Sequence, residues 1–311
     1  MDDGGNHMNI ILSHNAQWVI FSTLILGMAS GMMGCLSYWK RQSLMSDALS
    51  HAALPGVVIG FALVGVKSLP MMMAGAAISA VIAAFLIQWI RSSTRIKEDT
   101  AMGIILSVFF GFGIMLLTMV NRMPGGNQSG LDSFIFGQAA SMVRKDVYTM
   151  LILAVLVMLV LFIGFKEWKI FLFDPDFARG LGLSGRLMNG IYLTVLVLVI
   201  ITGIQVVGVI LMSALLIIPA VSARYWTQSF KWMVILSGLF GGGAGLVGTI
   251  ISTLGKGWPT GPFIIVTSSA LFVLSLVFGA QKGLLIQSLQ LRTQRKAHVS
   301  SSQSNLTQGG E

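Results

Sequence analysis

Long apolar runs separated by short polar stretches set the pattern of this chain. A helix needs roughly 20 mainly apolar residues to cross the hydrocarbon core of a bilayer. Runs of that kind lie at Trp18–Tyr38, Leu44–Val66, Pro70–Ile90, Ala101–Val120, Val147–Phe165, Leu187–Ile201, Gln205–Ala223, Trp232–Leu254 and Pro262–Gln281. The pattern predicts an all-α polytopic membrane protein of about nine transmembrane helices. The long run from Leu187 to Ala223 must be divided, and the cut is placed at Thr202-Gly203. Three parts follow: an extracellular N-terminal segment over residues 1–16, a membrane domain over 17–281, and a basic, Ser/Gln-rich cytoplasmic tail over 282–311, predicted disordered.

Composition supports the membrane reading. Only 10% of the residues are charged, against about a quarter in soluble domains. The net charge of +9 does not mark a nucleic-acid binder, because the basic residues flank apolar runs and form no patch. With the N-terminus outside, 15 of the 20 Lys and Arg fall on the inner side, so the chain is read as N-terminus outside, C-terminus inside. The single cysteine, Cys35, excludes an internal disulfide and a thiolate-based metal site. The sequence has no GxxxxGK[ST] phosphate loop, so the chain is not expected to be an enzyme, and ATP hydrolysis would belong to a partner.

The chemistry concentrates in one apolar stretch, SLMSDALSHAALPGVVIGF (Ser43–Phe61). Asp47 and His51 stand at i and i+4, so on a helix they share one face. With these span boundaries they are the only carboxylate and the only imidazole inside a span, and no Lys or Arg lies within one. A charge at the centre of a membrane helix costs about 2.5–3.5 kcal/mol on insertion scales and usually marks a polar pathway or pairs internally. Pro55 has no N–H to give the His51 carbonyl, which leaves that oxygen as a further ligand, and Ser46 and Ser50 add hydroxyls on adjacent faces. Oxygen and nitrogen donors without sulfur suit Mn²⁺, Fe²⁺ or Zn²⁺ as transported ion, with no permanently bound cofactor. Two side chains are too few for a metal site, and a second copy about an axis near this helix would double them. Other readings stay open on the residues alone: a secondary cation- or proton-coupled transporter using Asp47 as its coupling site, or a scaffold with a structural Asp–His pair.

Two loops carry further signals. LDSFIFGQAASMVRKD (Leu131–Asp146) reads as an interfacial helix or a packed loop helix at the outer rim. In the inner loop FLFDPDFARGLGL (Phe171–Leu183), Asp174 is placed to cap a short helix that opens with Pro175 and closes at Gly180 in a left-handed conformation. Such a helix, Pro175–Arg179, would display Phe177 and Arg179, the composition of an interface anchor, or else lie as a capped turn on its own spans.

These residues resemble a known family. SDALSHAALPGVVIGF (Ser46–Phe61) is similar to the second-span signature of the permeases of metal-ion (manganese, zinc, iron) ABC transporters, commonly GDAxSHAxLPGVxxG(F/Y). The inner loop resembles that family's coupling loop, QVVGVILMSALLIIPAVSAR (Gln205–Arg224) resembles its late VGxxLxxALLxxPAxxA span, and Leu131–Asp146 resembles the segment before its middle span. Ser46 stands where the family often has Gly. The resemblance, over about Trp18 to Gln281, implies a vitamin B12-permease-like bundle (a type II ABC importer) in the plasma membrane of a bacterium. It implies a homodimer or a pairing with a close homologue, a cytoplasmic ABC ATPase, and an extracellular metal-binding protein or lipoprotein that delivers manganese or zinc. Asp47 and His51 match the positions that contact the metal. Asp174, Pro175, Asp176, Phe177, Arg179 and Gly180 match the ATPase-coupling segment.

Overall fold

The computed structural model describes residues 14–65, 68–122, 137, 144–255 and 258–287, with side chains from residue 17 in the first segment and from residue 147 in the fourth. The helices in chain order are α1 (His14–Trp39), α2 (Ser43–Val64), α3 (Leu69–Ser93), α4 (Glu98–Asn121), α5 (Arg144–Ile163), α6 (Phe165–Phe173), α7 (Pro175–Gly180), α8 (Gly185–Val207), α9 (Val209–Trp226), α10 (Phe230–Leu254) and α11 (Thr260–Phe278). Among the described residues, eight helices are long and apolar enough to cross a membrane. The pair α5–α6, bent by 63°, becomes a ninth if it counts as one span. The predicted outer helix at Leu131–Asp146 lies outside the described residues except for Gly137 and the first turn of α5.

α1 and α10 form the centre, antiparallel and joined through small residues. A Cβ on Gly27 would stand 2.2 Å from the Gly241 carbonyl oxygen, and one on Gly31 would stand 2.1 Å from that of Ser237. Backbones meet this closely only where side chains are absent, and in lipid the resulting dispersion and hydrogen bonds take the place of hydrophobic burial. Polar contacts reinforce the seam. Ser237 Oγ donates to the Gly31 carbonyl, and Thr249 Oγ1 donates to Thr23 Oγ1 at 2.9 Å. The same logic joins α2 to α3, where Gly56 and Gly75 abut and Ser79 Oγ donates to the Ala52 carbonyl at 2.6 Å. The outward faces of α3, α4 and α11 remain apolar and exposed, as lipid-facing helices require.

The structure corrects three sequence expectations. The long run divides at Gly208, not at Thr202-Gly203: Gly208 has φ 95° and ψ 161°, a conformation open to glycine, while Gly203 stays helical under the Met212 side chain. The segment from Lys166 to Phe173, which follows the predicted span Val147–Phe165 and reads as inner loop, is helix. The short α7 runs through Gly180, and the left-handed residue is Gly182 at φ 83°.

Candidate functional site

Asp47 and His51 sit in the first half of α2, which runs unbroken through Pro55. His51 Nε2 lies 3.5 Å from Asp47 Oδ1, with the carboxylate side chain 32% and the imidazole 13% exposed. The His51 ring meets Phe110 of α4 edge-on, centroids 4.8 Å apart. Its buried Nδ1 has no hydrogen-bond partner among the described residues. Ser213 of α9 lies close to the Asp47 carboxylate. The site therefore lies where α2, α4 and α9 meet. Ser46 and Ser50 take no part in it: their hydroxyls turn back onto the Ser43 and Ser46 carbonyls, both at 2.7 Å. Among the described residues no three His, Cys, Asp or Glu side chains come together in a metal-ligating group.

The turn leading into α2 is held by a polar cluster. Gln42 Nε2 donates to Glu98 Oε1, and Glu98 Oε2 pairs with Arg91 at 3.1 Å. Lys40 Nζ donates to Asn189 Oδ1 at 2.5 Å and lies 4.0 Å over the Tyr192 ring. Burial pushes the Lys40 ammonium down to about 8, against an upward pull from Glu98 and with a further downward push from Arg91. Between Lys40 and Gln42, Arg41 adopts a left-handed φ of 59°.

The same end of the bundle carries α6 and α7. Trp168 buries α6, and Phe173 at its end packs on Trp39 of α1 at 4.8 Å and on Phe230 of α10 at 5.7 Å. Arg224 covers the Trp39 ring at 5.2 Å. Asp174 then caps α7 as expected, its Oδ1 accepting from the Phe177 N–H at 3.0 Å, with Pro175 in the first turn. The helix closes in a Schellman motif, Leu183 N–H to the Ala178 carbonyl and Gly182 N–H to that of Arg179, both 3.0 Å. Phe177 is 56% exposed, and Arg179 points outward in a pair with Asp176. Sequence reasoning found this display and the Asp–His pair. It missed Ser213, although this is the one polar side chain between Gly208 and Ser222.

Among the described residues, eight or nine apolar helices accompany an ionisable pair and an exposed capped helix, the build of a polytopic membrane protein. Residues 13–279 match the ABC 3 transport family, and the chain belongs to it. It is thus a multi-pass permease of the bacterial plasma membrane, of the metal-ion ABC class named in the sequence resemblance. Over 282 residues the chain is 45% identical to the manganese transport system membrane protein MntC of Bacillus subtilis, covering 91% of this chain and 65% of that one. It is 40% identical to the zinc transport system membrane protein TroC of Treponema pallidum, covering 90% and 94% of the two chains. The fold superposes on that of PsaBC from Streptococcus pneumoniae, solved in complex with Fab, with a TM-score of 0.79 and 29% identity over 91% of this chain and 99% of that one. The all-helical importer-type bundle that the resemblance implied is therefore the one found.

Proposed function

We propose that the chain is the membrane subunit of an ATP-driven importer of divalent transition-metal ions, manganese before zinc or iron. The observation that carries this reading is the Asp47–His51 pair: an oxygen and a nitrogen donor on one face of a membrane helix, 3.5 Å apart. The imidazole is poorly satisfied by the protein alone: Nε2 makes only the 3.5 Å contact with the carboxylate, and the buried Nδ1 has no hydrogen-bond partner among the described residues. A cation arriving there replaces the Asp–His contact with two ligand bonds, and the ion's charge offsets that of the carboxylate. Manganese comes first because the Bacillus subtilis relative is named for it, while the Treponema pallidum relative is named for zinc. Both ions accept oxygen and nitrogen, so ligand type does not separate them.

A second copy of the chain supplies the ligands that one copy lacks, with α2 near the shared axis. Energy enters from a cytoplasmic ATPase docked on α7, where Phe177 offers an apolar anchor and Arg179 a charged one. Movement of α7 reaches α2 through Phe173, which packs on Trp39 four residues ahead of Ser43. An extracellular metal-binding protein delivers the ion to the opposite mouth.

The test is accumulation of radioactive manganese in a deletion strain, with zinc as competitor. Asp47→Ala and His51→Ala should each abolish uptake while leaving membrane insertion and ATPase co-purification intact. Uptake at the normal rate by both variants would remove the pair from the mechanism.

A further inference from the structure

The turn Lys40–Gln42 follows directly on Trp39, which packs on Phe173, and leads directly into α2. At its centre Arg41 has a φ of 59°, and a non-glycine residue stays in that conformation only where its surroundings hold it. They hold the turn from both sides. Lys40 reaches α8, donating to Asn189 at 2.5 Å and lying over the Tyr192 ring, whose hydroxyl in turn donates to Ser37 of α1 at 3.0 Å. Gln42 reaches α4, where its Nε2 donates to Glu98.

Glu98 is the junction. One carboxylate oxygen accepts from Gln42, and the other pairs with Arg91 of α3 at 3.1 Å. A single side chain thus ties the entry of α2 to the ends of α3 and α4. Gln42 stands at the N-cap of α2 yet gives that helix no side-chain bond, and its buried amide oxygen has no partner among the described residues. The first turn of α2 carries no acidic residue either, so neither a cap nor a charge of its own fixes its start. These side chains share a cavity of about 30 Å³, room for a water molecule and nothing larger, so the cluster is a joint and not a ligand pocket. It also stands apart from the ion pair. Met45 lines that cavity two residues before Asp47, and residues at that spacing point to different faces of a helix.

We infer that Glu98 is a positioning residue that clamps the entry of α2, so that movement delivered to Trp39 displaces Asp47 and His51 instead of flexing the turn. The inference rests on the function proposed above. Without the clamp, ATP hydrolysis continues and the turn absorbs the stroke. Ion binding at the pair does not depend on Glu98; the number of ions moved per ATP does.

The test uses the assembled transporter in proteoliposomes, with radioactive manganese uptake and phosphate release followed together. Glu98→Met keeps the length of the side chain and removes both acceptors. It should lower the manganese moved per ATP about tenfold, with hydrolysis within about twofold of the parent. Gln42→Met removes the same bond from its other end without touching a charge, so it carries the test if Glu98→Met fails to fold. It should lower the same ratio, and the double variant should be no worse than Glu98→Met alone. Titration with Mn²⁺ should give all three the parental Kd. A parental ratio of manganese to ATP in Gln42→Met and Glu98→Met would overturn the inference. So would uptake and hydrolysis falling in proportion, or a raised Kd, since either marks a general structural role. A parent that accumulates manganese at the expense of ATP, with unchanged ratios in the variants, refutes Glu98 alone. A parent that hydrolyses ATP without accumulating manganese refutes the proposed function, and this inference with it.

Discussion

Adding one methyl group at two neighbouring glycines of α10 should have opposite effects. A Cβ at Gly241 would lie 2.2 Å from the Gly27 carbonyl oxygen and 3.3 Å from the Gly31 Cα, whereas one at Gly243 would meet nothing within 4 Å. Carbon-to-oxygen contacts settle at about 3.3–3.6 Å, so Gly241→Ala must push α10 away from α1 by roughly 1 Å. The obstruction is backbone on both sides, so no side chain can rotate to make room. Overpacking of this kind costs about 1–3 kcal/mol. At Gly243 the methyl only restricts the unfolded chain and favours helix, a gain of about 0.4–1 kcal/mol. The two variants should therefore differ by about 1.4–4 kcal/mol in stability. Heating the purified protein in detergent and following the monodisperse fraction by size-exclusion chromatography orders them against the parent. Gly241→Ala equal to or more stable than Gly243→Ala would refute close α1–α10 packing as the source of the core's stability.

Phe177→Ala and Arg179→Glu should lower the amount of ATPase that co-purifies with the membrane subunit, without altering its insertion; unchanged co-purification of both would show that α7 is no docking surface. Lys40 makes stability depend on pH. Its folded-state value of about 8 lies below the ordinary 10.5, so the unfolded chain binds the extra proton and stability rises as pH climbs from about 8 towards 10.5. The unfolding temperature in detergent should rise across the lower part of that window, and Lys40→Met should flatten the rise; an identical slope in parent and variant would contradict it.

The spans were legible because hydropathy over about 20 residues is a strong signal, and the Asp–His pair because ionisable groups are rare inside such runs. Breaks between helices were less so. Gly203 and Gly208 stand five residues apart in one long, mostly apolar run, and the packing of Met212 over Gly203 and of Gly137 against Gly208 is visible only in three dimensions. α6 escaped because Lys166, Glu167 and Lys169 interrupt the apolar run, while its stability comes from aromatic contacts with α1 and α10, which are distant in sequence. Gly182 was passed over for Gly180 since both glycines follow the capped turn, and the Schellman bonds that separate them are visible only in three dimensions. Ser213 shares no helical face with Asp47; nothing in the periodicity of either helix announces their meeting.

The bend at Gly164 makes α6 a crank. Its nine residues give an arm of about 13 Å at 1.5 Å per residue. A turn of roughly 10° about the bend would carry the far end about 2 Å, half a side chain's width. That end is Phe173, gripped between Trp39 and Phe230. These two residues belong to α1 and α10, which the glycine contacts weld into a single strut. A push on α7 is thus borne by two helices in backbone contact, and it passes on to α2 through the three-residue turn at Lys40–Gln42, where Arg41 already holds a strained backbone.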